Sequence, residues 1–162
     1  SKAPDAHADM GSHEIKYSIY PHKGQLSSKT VKLALELNYS YQYMISSELA
    51  QSFADIIRIQ GDSNVILSNI KRGEDDKELR SNYALQKTDG SSIVVRVYES
   101  LGGESSSTLL TSLPVTRVEK IDNLELKSLD ALKFSTYEKD EKLKKIPIKL
   151  RSFEIASYKI FF

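Results

Sequence analysis

The residue types best suited to metal chemistry gather at the start of the sequence, where all three histidines lie within the first 22 residues. Four potential ligands follow one another closely: Asp5, His7, Asp9 and His13. Imidazole and carboxylate together suit a divalent ion, but this spacing matches no known ligand motif. A polar loop whose histidines are solvated or hydrogen-bonded is the simpler interpretation. We therefore predict no metal site contained within this chain. The alternative is that this segment borders an active site built mainly by residues outside the chain.

Carboxylates are the next candidates, because a pair of them performs glycoside hydrolysis. The sequence offers the charged run Glu74–Glu78, with Glu74, Asp75 and Asp76 adjacent, and Glu99 in an apolar stretch. Solvated charges and one strand-borne ion pair explain these residues more simply than a catalytic pair does. There is no G-x-S-x-G nucleophile elbow, no phosphate-binding glycine loop and no cysteine. We predict no catalytic residue in this chain.

Three tyrosines at alternate positions, Tyr39, Tyr41 and Tyr43, would share one face if the chain is extended there. Sugar rings stack on exposed tyrosines, so these residues are the weak candidates for carbohydrate binding. Alternatively they pack between two structural units, which is the interpretation we prefer.

The composition is that of an ordinary globular protein: 162 residues, 40% apolar, 28% charged, net charge +1. Nothing in this balance indicates nucleic acid or an anionic membrane as the main partner. The sequence has no apolar run long enough to span a bilayer and no visible signal peptide. It opens SKAPDAHADMG, with the first Met at position 10, which suggests part of a longer polypeptide.

Two units are predicted from the periodicity, residues 1–50 and residues 54–162. In the first, Ser12–His22 alternates like a half-buried strand, with His13, Ile15, Tyr17 and Ile19 on one face. Ser28–Asn38 has helical spacing, with Ser27 or Ser28 as N-cap. An irregular connection follows.

The second unit is a succession of strand signals, which predicts an antiparallel β-sandwich. The strongest is Ser92–Gly103, SIVVRVYESLGG, read as a central strand whose Arg96 and Glu99 lie on opposite faces. Gly61–Ser63 is predicted to close a hairpin, and Pro147 to mark an edge strand. Other strands are expected at residues 55–60, 64–70, 83–86, 107–113, 115–121, 131–137, 144–151 and 153–162.

Six phrases resemble, in order, the C-terminal region of family 38 glycoside hydrolases, the class II α-mannosidases. They are APDAHADMGSHEIKYSIYPHKG (3–24), LALELN (33–38), NVILSNIKRGEDD (64–76), IVVRVYESLGG (93–103), VEKIDNLE (118–125) and LRSFEIASYKI (150–160). The cytosolic and fungal vacuolar branch is the most similar. Ser152 stands where the family usually has Pro, and Tyr39 where Pro is common.

The resemblance implies a parent enzyme that hydrolyses terminal α-mannosidic bonds of oligosaccharides or glycans. Its aspartate nucleophile and its divalent metal, zinc or cobalt, would belong to an N-terminal catalytic domain outside this chain, so no catalytic or metal residue is carried over here. Residues 1–50 would be the edge of the family's central β-domain and residues 54–162 its terminal sandwich. The implied partners are that catalytic domain and further copies of the subunit, in the cytoplasm or vacuole. Arg96 is then expected to pair with a carboxylate within the sandwich, for which the Gly73–Asp76 run is one candidate. The alternative is a free-standing carbohydrate-binding β-sandwich.

Overall fold

The computed structural model describes residue 8 and residues 10–39, 56–74 and 90–162. Within these ranges the chain forms one helix and nine strands. They are α1 (Ser28–Asn38), β1 (Arg58–Gly61), β2 (Val65–Arg72), β3 (Ser92–Glu99), β4 (Ser105–Thr111), β5 (Arg117–Ile121), β6 (Ser128–Ala131), β7 (Ser135–Tyr137), β8 (Asp140–Leu150) and β9 (Ile155–Phe161).

The strands form two sheets in which every pairing is antiparallel. The four-stranded sheet has the order β1-β4-β8-β7, and the five-stranded sheet has the order β2-β3-β9-β5-β6. This confirms the predicted mainly β architecture with antiparallel sheets.

The core is one cluster of apolar side chains drawn from both sheets. Alternation along β8 sends Ile146, Ile148 and Leu150 into it, as predicted. From β3, Val95 and Val97 enter the same cluster, while Val94 is buried on the other face of that strand. The interpretation of β3 as a strand covered on both faces is therefore confirmed.

The predicted hairpin at Gly61–Ser63 is wrong, because the chain changes sheets there. Strand β1 pairs with β4, whereas β2 pairs with β3. The Asp62 carboxylate accepts a hydrogen bond from the backbone N–H of Ser106 at 2.7 Å, which holds this crossing against β4. A short connection with turn residues fits a sheet crossing as well as a hairpin, and only long-range pairing separates the two.

Strand pairing decides two further predictions, the strand at residues 131–137 and the edge position of Pro147. The weak strand predicted at residues 131–137 is divided: β6 ends at Ala131 in one sheet, and β7 begins at Ser135 in the other. Pro147 pairs with Thr108 of β4, while β7 reaches only as far as Lys145, so the open side of β8 begins beside the proline. The predicted edge position is confirmed for that half of the strand.

The first unit divides into a confirmed helix and a segment that is not a strand. Helix α1 has the predicted bounds, and the Asn38 amide donates to the Ala34 carbonyl at 2.8 Å near its end. Residues 12–22 pair with no described strand, so the predicted strand is absent from this structure. The expected inward face is open: Ile15, Tyr17 and Ile19 are 81–84% exposed. The alternation marks a face suited to a sheet that the described residues do not provide.

No helix within the described ranges is both long and apolar enough to cross a bilayer.

Candidate functional site

Only one of the potential metal ligands, His13, is among the described residues, where it is exposed. Asp5, His7 and Asp9 lie outside them. Elsewhere in the described ranges no three His, Cys, Asp or Glu side chains come together in a group that could hold a metal. The described residues therefore do not form a site for the zinc or cobalt that the family resemblance implies for the parent enzyme.

Of the three tyrosines that are candidates for carbohydrate binding, one is among the described residues. Tyr39 is exposed just after α1, and Tyr41 and Tyr43 lie outside the described residues. A common face for the three rings stays a prediction.

The buried carboxylate of Glu99 accepts four hydrogen bonds. Glu99 is 1% exposed. One carboxylate oxygen accepts from the Asn64 amide at 2.7 Å and the Leu101 N–H at 2.8 Å. The other accepts from the N–H groups of Gly102 at 2.7 Å and Phe153 at 2.9 Å. Glu99 thus joins the turn after β3 to the turn before β9.

Four neutral donors keep this carboxylate ionised without a cation among them. Burial on its own raises the pKa of Glu99, but the hydrogen bonds from Phe153, Leu101, Gly102 and Asn64 outweigh burial and lower the pKa to about 2. A general acid needs a raised pKa and a free proton-bearing oxygen. Glu99 has neither, so its position fits a structural role.

An aromatic ring is held at the surface beside this carboxylate. Phe153 has φ +56° and is 70% exposed. Gly102 has φ +85°, and a Cβ at Gly102 would lie 2.7 Å from the Phe153 ring. The glycine is therefore favoured by its backbone conformation, and its lack of a side chain leaves room for the ring.

Arg96, on the opposite face of β3, is bound by neutral oxygens. Its Nε donates to Ser157 Oγ at 3.0 Å, and its Nη2 donates to the Asn123 carbonyl at 2.9 Å. The Ser157 hydroxyl in turn donates to the Asn123 side-chain oxygen at 3.0 Å. The prediction that Arg96 pairs with a carboxylate of the Gly73–Asp76 run is wrong for Glu74, because Glu74 pairs with Lys71 at 2.7 Å. Asp75 and Asp76 lie outside the described residues.

The network at Arg96 fixes the β5–β6 loop, residues 122–127, over the outer face of the five-stranded sheet. Asn123 provides one anchor, and a 2.7 Å ion pair between Lys71 and Glu125 provides another. Burial opposes the charge on Lys71, yet its hydrogen bonds to Glu125 and Glu74 raise its pKa overall. Sequence reasoning did not single out Asn123 or Ser157. Asn123 is a polar residue in a turn and Ser157 a polar residue within an apolar strand, and neither pattern points to an arginine partner.

A charged cleft of about 590 Å³ opens at one end of the sandwich. Its lining residues are Asp62, Glu104, Ser105, Ser106, Lys120, Lys149, Leu150, Arg151 and Glu154. Glu154 contacts Lys120 at 2.6 Å and accepts from the Arg151 N–H at 2.8 Å, while Asp62 accepts from Ser106. Burial is the largest single influence on the pKa of Glu154 and raises it. The hydrogen bonds from Arg151 and Lys120 together outweigh burial, so the pKa is lowered overall. The carboxylates of Asp62 and Glu154 thus serve local structure.

The fold and these polar contacts define the class of protein: an antiparallel β-sandwich whose organised carboxylates join strands and turns. Comparison with known proteins gives the family. Residues 83–158 match the family model described as the glycosyl hydrolases family 38 C-terminal beta sandwich domain. The chain therefore belongs to glycosyl hydrolase family 38 and carries its C-terminal β-sandwich, which confirms the resemblance.

Curated relatives agree. The chain is 60% identical over 161 residues to Alpha-mannosidase of Saccharomyces cerevisiae, covering 99% of this chain and 15% of that protein. It is 32% identical over 165 residues to Alpha-mannosidase G of Dictyostelium discoideum, covering 96% and 13%. It is 32% identical over 125 residues to Alpha-mannosidase 2C1 of Mus musculus, covering 76% and 11%. The higher identity to the yeast protein is consistent with the predicted fungal branch. The chain spans no more than 15% of the length of any of the three.

Proposed function

We propose that this chain is the non-catalytic C-terminal part of an α-mannosidase and that it packs against the catalytic part of the same polypeptide. In this proposal the parent hydrolyses terminal α-mannosidic bonds of oligosaccharides or glycans. The aspartate nucleophile and the zinc or cobalt ion belong to the part outside this chain. Support comes from the names of the relatives and from Glu99, Glu154 and Asp62, whose carboxylates are engaged in structural hydrogen bonds.

The observation that carries the packing role is the exposed apolar face of residues 12–22. Ile15, Tyr17 and Ile19 are at alternate positions and each is more than four-fifths exposed. Burying one such side chain stabilises a protein by roughly 1.5–3 kcal/mol. An extended segment with one apolar face gains that energy by adding as a strand to a sheet edge. The family's central β-domain would offer such an edge.

The end of this segment is tied to α1, which limits how it can present that face. The rings of Tyr20 and His22 stack with centroids 5.5 Å apart, and the Lys29 ammonium lies 5.6 Å from the Tyr20 centroid. Lys29 is in the first turn of α1. The segment and the helix would therefore dock together.

The test compares two substitutions in the longer polypeptide: Ile15→Ser with Ile19→Ser on the apolar face, and Lys16→Ser on the opposite face as the control. We expect the apolar pair to lower the unfolding temperature and the thermal half-life of aryl α-mannoside hydrolysis, with Lys16→Ser unchanged. In the 162-residue chain alone both variants should unfold like the parent sequence, because these side chains are already exposed. An unchanged unfolding temperature in the longer polypeptide would refute the packing role.

The non-catalytic role has its own test. The 162-residue chain, supplied with zinc or cobalt, should not hydrolyse an aryl α-mannoside. Turnover that disappears on replacing a local carboxylate such as Glu154 would overturn the proposal.

Two finer parts of the proposal are supported by the family resemblance alone. They are that the sandwich supports association of subunits, and that the enzyme acts in the cytoplasm or vacuole. Sedimentation of the longer polypeptide and imaging of a fluorescent fusion test them; a monomer, or a secreted enzyme, would contradict them.

A further inference from the structure

The β5–β6 loop has its polar side chains turned toward the sheet and its leucines turned toward solvent. Asn123 and Glu125 are bound to the sheet, and the Glu125 side chain is only 5% exposed. The residues between and after them, Leu124 and Leu126, are 76% and 65% exposed. A loop that only meets water has no reason to cover its glutamate and expose both leucines beside it.

The loop is held in this orientation by several bonds. Asp122 closes it, because one carboxylate oxygen accepts from the N–H groups of Leu126 at 2.7 Å and Lys127 at 3.1 Å. Asn123 binds Ser157, and Glu125 binds Lys71. The leucines cannot turn inward without breaking these hydrogen bonds and the Lys71–Glu125 ion pair, so their exposure is built into the fold.

Two more exposed apolar side chains lie in β9 and in the turn before it. Ile155 lies two residues from Ser157 along β9 and so on the same side of the sheet as the Asn123 anchor; it is also exposed. Phe153 precedes it in the turn fixed by Glu99. Among the described residues the non-glycine positions with positive φ are Glu125 and Phe153. Such conformations are costly and concentrate where structure serves a function.

We propose that Leu124, Leu126, Phe153 and Ile155 form a docking surface, here called the leucine face, for an apolar surface of the same longer polypeptide. The proposal rests on the proposed function, because it takes this chain to be one part of a larger enzyme. It adds a second contact on the sandwich itself, separate from residues 12–22.

The size of the leucine face selects this occupant over a second copy of the chain. From their exposure, the four side chains offer roughly 500 Å² of apolar area, which is the size of the largest apolar patch on a typical monomer, and such patches are often functional. A free-standing complex needs about 800 Å² on each partner. A covalently linked partner is present at millimolar effective concentration, so a smaller patch suffices.

Thiol labelling tests the proposal directly, since the chain has no cysteine of its own. Leu124→Cys reports on the leucine face, Ile15→Cys on the segment of residues 12–22, and Lys149→Cys on the exposed surface of the other sheet. Each variant is reacted with a maleimide, both in the 162-residue chain and in the longer polypeptide, and modification is followed by mass spectrometry of the peptide that carries it.

We expect Leu124→Cys to react at least about tenfold more slowly in the longer polypeptide than in the 162-residue chain, with Lys149→Cys equally fast in both. Equal rates for Leu124→Cys would overturn the inference. If Ile15→Cys is protected at the same time, the proposed function survives that failure. Slower labelling of Leu124→Cys in the 162-residue chain alone, on raising its concentration about a hundredfold, would identify a second copy as the occupant and overturn the assignment.

Discussion

Replacing Glu99 by Gln should be among the most destabilising single-atom changes available in this sandwich. The substitution keeps the size of the side chain and removes one acceptor. Glu99 accepts two hydrogen bonds on each carboxylate oxygen, from Asn64 and Leu101 on one and from Gly102 and Phe153 on the other. A glutamine oxygen can serve one pair, but its NH₂ group then faces the other two donors.

The magnitude follows from those two lost bonds. A hydrogen bond to a charged group contributes about 1.5–3 kcal/mol, and a buried donor left without an acceptor adds a penalty. We therefore expect Glu99→Gln to lower the free energy of unfolding by about 3–5 kcal/mol at neutral pH. That is a large fraction of the 5–15 kcal/mol typical of a domain.

Urea denaturation followed by far-UV circular dichroism measures this loss, with Glu138→Gln as the matched control. Glu138 is exposed and pairs with Lys145 at 2.9 Å on the surface, so its replacement should leave the urea midpoint unchanged. A loss below about 1 kcal/mol for Glu99→Gln would refute the argument that these donors require a charged acceptor.

The pH dependence gives a second check on the same residue. The folded pKa of Glu99, about 2, lies below its ordinary value of 4.5. Its charge therefore stabilises the fold fully above pH 4.5, and this contribution is lost as the pH falls from 4.5 toward about 2. Glu99→Gln has no such charge, so the stability difference between the two proteins should narrow across that window. A difference that stays constant down to pH 2 would contradict the lowered pKa.

Three further predictions concern other positions in the sandwich. Gly61→Ala should cost about 2 kcal/mol or more in urea denaturation, because Gly61 has φ +131° and its new Cβ would lie 2.8 Å from Ser107 Cα; Gly103→Ala, with its nearest atom 3.9 Å away, is the control and should be nearly neutral. Ser157→Ala should cost about 1–3 kcal/mol by leaving Arg96 Nε without its acceptor, whereas the exposed Ser135→Ala should not change stability. Ile146→Ala should cost about 2–5 kcal/mol through the cavity it leaves, and an equal loss in the exposed Leu129→Ala would contradict that reasoning.

The local sequence pattern was enough to predict the helix and the positions of most strands. It was not enough to predict which strands pair with one another. The alternation of Ile146, Ile148 and Leu150 predicts the buried face of β8 because side-chain direction in a strand is set by the backbone. The crossing at Gly61–Ser63 looks like a hairpin in sequence, since turn residues specify a change of direction but not the sheet that the next strand joins. Which strands pair is decided by contacts between residues far apart in the chain.

The polar site was harder to predict for the same reason. The sequence placed Arg96 and Glu99 on opposite faces of β3 and showed that each requires a partner. It suggested charged partners, but the structure provides neutral ones: backbone N–H groups for Glu99, and Ser157 with the Asn123 carbonyl for Arg96. Nearly every residue has a backbone N–H group, so residue type does not indicate which of these groups will bind a buried side chain. The face of residues 12–22 was visible as alternation, but no local signal shows that its sheet lies elsewhere.

The position of β9 bears on how the protein is made. Residues 155–161 come late in the chain, yet β9 is inserted between β3 and β5 in the middle of the five-stranded sheet. During synthesis β2 and β3 can pair early, but the edge of β3 stays open until residue 161 has left the ribosome. For several seconds at ordinary rates of translation, a nascent chain would carry an unpaired, valine-rich strand edge. The five-stranded sheet can therefore form completely only after β9 has emerged from the ribosome and paired with β3 and β5.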